Sequence, residues 1–540
     1  MKKVLIILGT LIGLIALVLI FGRTYISELI QGPVQEQGET DLSFKEIPAE
    51  FTPKLNLDES LPFMGLAAID VDGDGIDEVF VANGRNEQDA ILKYNGSKFT
   101  PLAQANSINK DLGDATFGAA SIDATKDGLA DLFIARESGV YFYKNTGNGF
   151  TGSQIEFPLD RKSLPLSIAL GDINKDGAVD LYISNYIRSE FVEGETIFNK
   201  QYGAFSNLLL NNGDNTFTDI TKQSGVYHQH NTFLAVFVDL NNNSHSDLVV
   251  AHDTGTVGIY RNNGDNTFTE MPNPSTYSYP MGIAVSDYNN DGLMDLYFSN
   301  VGTTLPTKLV KGDLREDQVL NKNYMLFENK GDFIFEDVAL DRNAALYGFG
   351  WGVVSFDFNN DSLHDYLITQ NYARFPGVKF FELYPGNLLQ QYSDGGFKPV
   401  ETAANIENKK FGMTPVVSDF NQDGSPDVVF ANLNDSVRVF INQGTDNHWL
   451  KVRLKDEPAS IGAIVRVTTD QNQTYTNQFY TSEGLSSDQS HELFFGLGKT
   501  NSIKRVTVNY QDGRSASVDN PKTDSTLSFD TNGNILSADQ

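Results

Sequence analysis

Seven times along the chain a short apolar run ends on Asp, a polar nonapeptide follows, and a second apolar run resumes. The first runs are GLAAID, GAASID, SIALGD, LAVFVD, GIAVSD, GVVSFD and TPVVSD. The second are EVFVAN, DLFIAR, DLYISN, DLVVAH, DLYFSN, DYLITQ and DVVFAN. Short apolar runs rich in Val, Ile, Leu and Phe, bounded by Gly, Asn and Asp, read as strands. A third strand and a hairpin turn come next, as in NLLLNNGDNTFTDIT, VGIYRNNGDNTFTE and MLFENKGDFIFEDVA, and a fourth strand starts at the Phe of each segment. Four short antiparallel strands, repeated at intervals of 48 to 70 residues, are the content of a β-propeller blade. The Gly, Ala and Ser of the first strands suit a crowded axis.

The ends of the array predict how it closes. The seventh repeat reaches its third strand (VRVFINQG) and then runs into Asp446-Asn447-His448-Trp449, which begins something else. Near the N-terminus, Ser43 to Phe51 (SFKEIPAEF) has no loop before it, yet it is similar to fourth strands such as TFTDITKQ. That segment is expected to complete blade seven, because an open array would leave two unpaired edges. The expected fold is all-β: a seven-bladed β-propeller over 43–445, a small β-sandwich over 446–530 made of short strands, and a polar, loose tail over 531–540.

The nonapeptides carry the chemistry. Oxygen-bearing side chains stand at the first, third, fifth and ninth positions, the seventh offers a backbone carbonyl, and Gly usually holds the sixth; that is the ligand order of a calcium loop. No helix follows, so these are not EF-hands. The candidate ligands are Asp70, Asp72, Asp74, Ile76 and Glu78 in loop one, and Asp123, Thr125, Asp127, Leu129 and Asp131 in loop two. Loop three has Asp172, Asn174, Asp176, Ala178 and Asp180; loop four has Asp239, Asn241, Asn243 and Asp247. Loop five has Asp287, Asn289, Asp291, Leu293 and Asp295; loop six has Asp357, Asn359, Asp361, Leu363 and Asp365; loop seven has Asp419, Asn421, Asp423, Ser425 and Asp427. Up to seven Ca²⁺ are expected, the weakest at the Asp239 loop, which keeps two carboxylates and replaces the usual Asp-Gly by Asn243-Ser244. Loop six has Ser362 at the Gly position, and in loop one either Asp77 or Glu78 could be the ninth ligand. The competing reading is a hydrogen-bonded Asx turn that needs no metal.

Extra residues fall after the second strand in repeats three (Tyr186 to Ser206), five (Val301 to Asn323) and six (Tyr372 to Gly386). In a four-stranded meander they emerge at the end opposite the calcium loops. They carry Phe191, Lys311, Arg315 and Phe375, and NYIR and NYAR place Tyr186, Arg188, Tyr372 and Arg374 as candidate ligand-binding residues. Solvated insertions are the alternative.

Met1-Lys2-Lys3 precedes an uncharged, mostly apolar stretch from Val4 to Gly22, then Arg23. It is long enough to span a bilayer and lacks a small-x-small cleavage site, so residues 1–25 read as a cytoplasmic stub and an uncleaved transmembrane signal anchor. The bulk then lies outside, in the periplasm or on the cell surface, after a polar linker at 26–42; a cleaved signal would make the protein secreted. The net charge of −30 argues against nucleic acid. About twenty carboxylates stand in the seven loops, so bound calcium would cancel much of that charge. There is no Cys, which excludes disulfides, zinc-thiolate sites and a lipoprotein anchor.

The DxDxDGxxD-type loops in strand–loop–strand units resemble the FG-GAP and VCBS repeats of integrin-α-like propellers. The segment NHWLKVRL…SIGAIVRVTT…SEGLSSDQSHELFFGLGKTNSIKRVTVNYQDGR resembles the ASPIC/UnbV domain. The combination is similar to the cartilage acidic protein family and its bacterial relatives. The resemblance implies calcium-binding repeats, secretion or surface attachment, and adhesion or binding roles. No GxSxG, HExxH or Gly-rich phosphate loop occurs, and His228-Gln229-His230 is explained by alternation on a strand end or loop. The expectation is therefore a non-enzymatic, membrane-anchored adhesion or recognition module for a protein or glycan. The alternatives are a calcium-dependent enzyme acting on polysaccharide, with its site at the insertion end or in the axial channel, and a scaffold subunit of an envelope complex.

Overall fold

The computed structural model describes residues 35–56, 60–109, 113–194, 196–303, 307–370, 385–530 and 532–539. The expected anchor, and Tyr372, Arg374 and Phe375 of the sixth insertion, lie outside the described residues. Among the described residues no helix is long and apolar enough to cross a membrane.

The architecture is all-β. Among the described residues, each of the seven repeats forms a four-stranded antiparallel meander. Repeat three is representative: Ser163–Gly171, Asp180–Ile187, Asn207–Asn211 and Phe217–Asp219, with Leu170 opposite Leu181, Leu181 opposite Leu209, and Leu209 opposite Asp219. The first strands are buried almost throughout, because each faces its neighbours on both sides. Glycine permits that approach. A Cβ on Gly65 would lie 2.8 Å from the Phe117 carbonyl oxygen, and one on Gly118 2.4 Å from that of Leu166. Successive first strands touch, and that of repeat seven (Gly412–Ser418) touches that of repeat one (Leu66–Ile69). The fourth strand of the seventh sheet is Phe44–Ile47, with Phe44 opposite Asn442 and Ile47 opposite Val439.

The C-terminal residues form two more four-stranded sheets. One pairs His448–Leu454 antiparallel with Glu492–Gly498 and parallel with Ser525–Phe529. The other is built on Ile464–Thr469 and Ile503–Asn509. Leu450, Val452, Val465, Val506 and Leu527 fill the space between them. The loose tail expected over 531–540 is corrected: Ile535–Asp539 is an edge strand on Ser525–Phe529. An Asn-Gly turn makes that hairpin, with Gly533 at φ +78° and the Asp530 N–H donating to the Asn534 carbonyl at 2.9 Å.

Candidate metal loops and the surfaces around them

All seven loops fold alike. The first Asp bends back over its own turn, so that one oxygen accepts the N–H of the fifth residue and the other that of the sixth. In loop three these bonds are 3.0 and 2.9 Å, from Asp176 and Gly177 to Asp172. The fifth side chain in turn accepts from the seventh N–H, at 2.8 Å in loop three. Loop four keeps every one of these bonds through Asn243, Ser244 and His245. Ser244 and Ser362 adopt the left-handed φ of +66° and +75° that glycine holds elsewhere. Each departure therefore costs backbone strain of roughly 1–2 kcal/mol without changing the turn. The fourth position is left-handed as well, at Gly73, Lys126, Lys175, Asn242, Asn290, Asn360 and Gln422.

The ninth carboxylate ties each loop to the sheet. In loops three, four, six and seven one of its oxygens accepts the N–H of the second residue, as from Ile173 to Asp180 at 3.0 Å. The other accepts an N–H from the third strand, from Asn211, Asn262, Gln391 and Asn442. In loop one Glu78 takes this role, accepting from Val71 at 2.9 Å, while Asp77 turns away and accepts from Ser418 Oγ at 2.7 Å. Glu78 thus makes the hydrogen bond that the ninth Asp makes in loops three, four, six and seven.

In loop one the carboxylates stand close enough together to fit a divalent cation. Asp70, Asp72 and Glu78 bring carboxylate oxygens within 4.8 Å of one another. Asp295 Oδ2 is buried without a hydrogen-bond partner. Burial, with neighbouring carboxylates adding to it, pushes Asp70 and Asp172 up to about 6, Asp287 and Glu78 to about 7, and Asp247 to about 8. Backbone N–H donors oppose that rise without cancelling it. Such carboxylates gain from a positive charge placed among them.

The C-terminal sheets cover this loop face. Arg453 donates to the Gly75 carbonyl at 2.6 Å, Lys451 Nζ lies 2.7 Å from Asp419 Oδ2, and the Asp123 N–H donates to the Asp456 carbonyl at 3.0 Å. Trp449 packs on Gly424 so closely that a Cβ there would lie 1.9 Å from the indole. From the same side, residues 478–490 run into the axis and bond to the first-strand segment of every repeat. Ser487 and Asp488 pair with Leu66 and Ala67 of repeat one. Asp488 accepts from the Ser121 N–H of repeat two at 2.8 Å, and Thr481 accepts from Leu170 of repeat three at 3.0 Å. Gln478 accepts from Asp239 of repeat four at 2.9 Å. Gly484 exchanges two bonds with Ile283 of repeat five, and Glu483 accepts from Ser355 of repeat six at 2.7 Å. Gln489 accepts from Val417 of repeat seven at 2.9 Å.

At the insertion end the axis is filled by aromatics. Phe63 lies 5.6 Å from Tyr186, 5.7 Å from Phe233 and 6.3 Å from Trp351, centroid to centroid. Tyr186 thus packs inward, and its hydroxyl donates to Asp253 at 2.5 Å. Arg188 is half-buried and donates to the Glu137 carbonyl at 2.8 Å. The two are positioned by packing and hydrogen bonds rather than presented on a free loop. The insertions of repeats three and five clasp each other: Asp313 accepts from the Phe198 N–H at 2.7 Å, and Gln318 donates to Asn199 at 2.6 Å. His230 and His252 stack at 4.4 Å, and burial lowers the pKa of both imidazoles.

Two features escape a reading of the sequence. One is the amide that staples repeats together. Asn145, Asn262, Asn329, Gln391 and Asn442 donate to a carbonyl in an earlier loop, at Val71, Ile173, Leu240, Tyr288 and Phe358. An Asn before the hairpin turn in four of these five repeats, and Gln391 in the fifth, is its signal. The other is the axial segment; its run of small polar residues, SEGLSSDQS, is the only hint.

A family model described as FG-GAP-like repeat matches residues 70–134, 123–183 and 239–298, and one described as ASPIC and UnbV matches 454–535. Cartilage acidic protein 1 of Homo sapiens is 22% identical over 491 residues, which cover 84% of this chain and 69% of that protein. The Xenopus tropicalis protein of the same name is 23% identical over 470 residues, covering 84% and 61%. The chain thus spans about six- to seven-tenths of the length of these relatives. Among solved structures, BP39L lectin from Burkholderia pseudomallei superposes with a TM-score of 0.44 at 11% identity, covering 71% of this chain and 96% of that one. YCF48 bound to D1 peptide gives 0.42 at 9%, covering 75% and 99%. At TM-scores below 0.5 these two likenesses carry no argument.

Proposed function

We propose, from the premise that this chain joins FG-GAP-like repeats to an ASPIC/UnbV domain, that it is a calcium-stabilised recognition module for a protein or glycan. In this reading it is a seven-bladed propeller, closed by Phe44–Ile47, and anchored in a membrane by residues 1–25 with its bulk outside the cytoplasm. The observation that carries the reading is the sevenfold repetition of one turn, with its clustered carboxylates, even where loop four departs in sequence.

Calcium is structural here. The first, third, fifth and ninth side chains with the seventh carbonyl would hold the ion, which supplies positive charge that the buried carboxylates otherwise lack. The loops lie under the C-terminal sheets and the axis is filled from both sides. A ligand surface consequently falls at the insertion end, on the frame braced by the clasp between repeats three and five. The experiment is capture on immobilised glycans and on extracytoplasmic protein extract, with calcium and with chelator. Calcium-dependent retention, reduced by substitutions at the clasp such as Asp313→Ala, is expected. Equal retention with and without chelator contradicts the role given to calcium, and no retention on either matrix contradicts recognition.

A further inference from the structure

Loop one differs from the other six in that a cation of its own sheet meets three of its candidate ligand carboxylates, whereas in loop seven Lys451 of the C-terminal sheets meets one, Asp419. Lys93, on the third strand of repeat one, places its ammonium 2.7 Å from Asp72 Oδ2, 3.0 Å from Asp74 Oδ2 and 2.7 Å from Glu78 Oε1. These are the third, fifth and ninth positions of the loop. Glu78 is fully buried, and the Lys93 side chain is 27% exposed. The strand register puts Lys144, Leu210, Arg261, Glu328, Gln390 and Ile441 at the equivalent position in repeats two to seven. Of these, Lys144 reaches a single carboxylate, Asp127, at 2.9 Å.

We infer that Lys93 is a resident cation which competes with calcium for loop one, so that loop one exchanges calcium while loops such as three and five hold it. The inference rests on the calcium reading above. An ammonium and a divalent ion cannot share three carboxylates at hydrogen-bond distance, because like charges at that separation repel. Calcium entry therefore has to displace Lys93 toward solvent, which its partial exposure allows. The displacement subtracts from the affinity of this loop, although it holds more carboxylates than any other. The loop is also the one whose Gly75 carbonyl receives Arg453, so the exchange occurs beside the docked C-terminal sheets.

The test is equilibrium dialysis of the full chain against graded calcium, for the native protein, Lys93→Met and Lys144→Met, with melting in chelator as a second readout. Besides the two-carboxylate loop four, the native protein should show loop one filling at roughly tenfold or more higher calcium than the tightest class. Lys93→Met should tighten that site and lower the melting temperature in chelator, where its carboxylates have lost their counter-charge. Lys144→Met, which frees one ligand carboxylate where Lys93→Met frees three, should shift the isotherm far less. Superimposable isotherms for the native protein and Lys93→Met overturn the inference while leaving the calcium reading in place. Equal tightening by Lys144→Met overturns it as a general charge effect. Absence of bound calcium in all three overturns both readings together.

Discussion

At the scale of single residues, the loop carboxylates set a pH dependence whose sign can be worked out. Asp287, at about 7, and Asp247, at about 8, have folded values raised well above the unfolded range of about 4. Without metal, the fold favours their neutral forms, so their contribution is greatest below the unfolded pKa. It is lost as pH rises through about 4 to 8. Calcium binds only the ionised forms, so its stabilisation grows over the same window. The gap in melting temperature between calcium-loaded and chelated protein is expected to widen from pH 5 to pH 8; a gap that is constant or shrinks would contradict this assignment. A second residue-scale prediction concerns Glu483, which is buried and accepts the N–H groups of Val285 and Ser355 at 3.3 and 2.7 Å. Glu483→Ala leaves both donors unpaired and should cost about 2–4 kcal/mol in denaturant unfolding. The recurring turn, with oxygen-bearing side chains at one, three, five and nine, is legible in the sequence because its spacing repeats. The left-handed fourth position was not, since Lys126, Lys175 and Gln422 carry no obvious turn signal.

At the scale of elements, two equivalent glycines separate the loop from what docks on it. Gly128 and Gly424 both hold the sixth position, at φ +91° and +87°. A Cβ on Gly128 meets nothing within 4 Å, whereas one on Gly424 would lie 1.9 Å from the Trp449 indole. Gly128→Ala should cost only the backbone strain, ~1–2 kcal/mol. Gly424→Ala should cost that plus ~1–3 kcal/mol of overpacking, and Trp449→Ala should abolish the difference between the two sites. Equal costs would mean that Trp449 does not seat the C-terminal sheets on loop seven. The strands and hairpins were readable from alternation and turn residues, and so was the N-terminal segment as a fourth strand without a loop of its own. The terminal strand Ile535–Asp539 is not evident from the burial pattern, because Ile535 and Leu536 are both exposed on this edge strand, although Asn532-Gly533 marks its hairpin. The inward turn of Tyr186 is not legible, because sequence distance from the loop says nothing of the axis into which it packs.

At the scale of the whole molecule, the repeats and the C-terminal sheets are joined through the axis. Residues 478–490 supply hydrogen bonds to the first-strand segments of all seven repeats, and Leu485 is buried among the apolar residues of the axis. A chain ending at residue 445 would leave those strand groups unpaired around an empty axis, so it should be aggregation-prone or melt well below the full chain. A truncated chain that melts with the full one would contradict that coupling. This long-range arrangement was not legible, since a plug and a separate sandwich have the same strand pattern. The measurement that bears most directly on the whole account is metal analysis and calorimetric melting of the full chain, dialysed against calcium and against chelator. Several calcium ions retained per chain, with a melting temperature above that of the chelated sample, is the predicted result. A chain that retains no calcium and melts identically in both would reduce the seven loops to hydrogen-bonded turns and contradict the account.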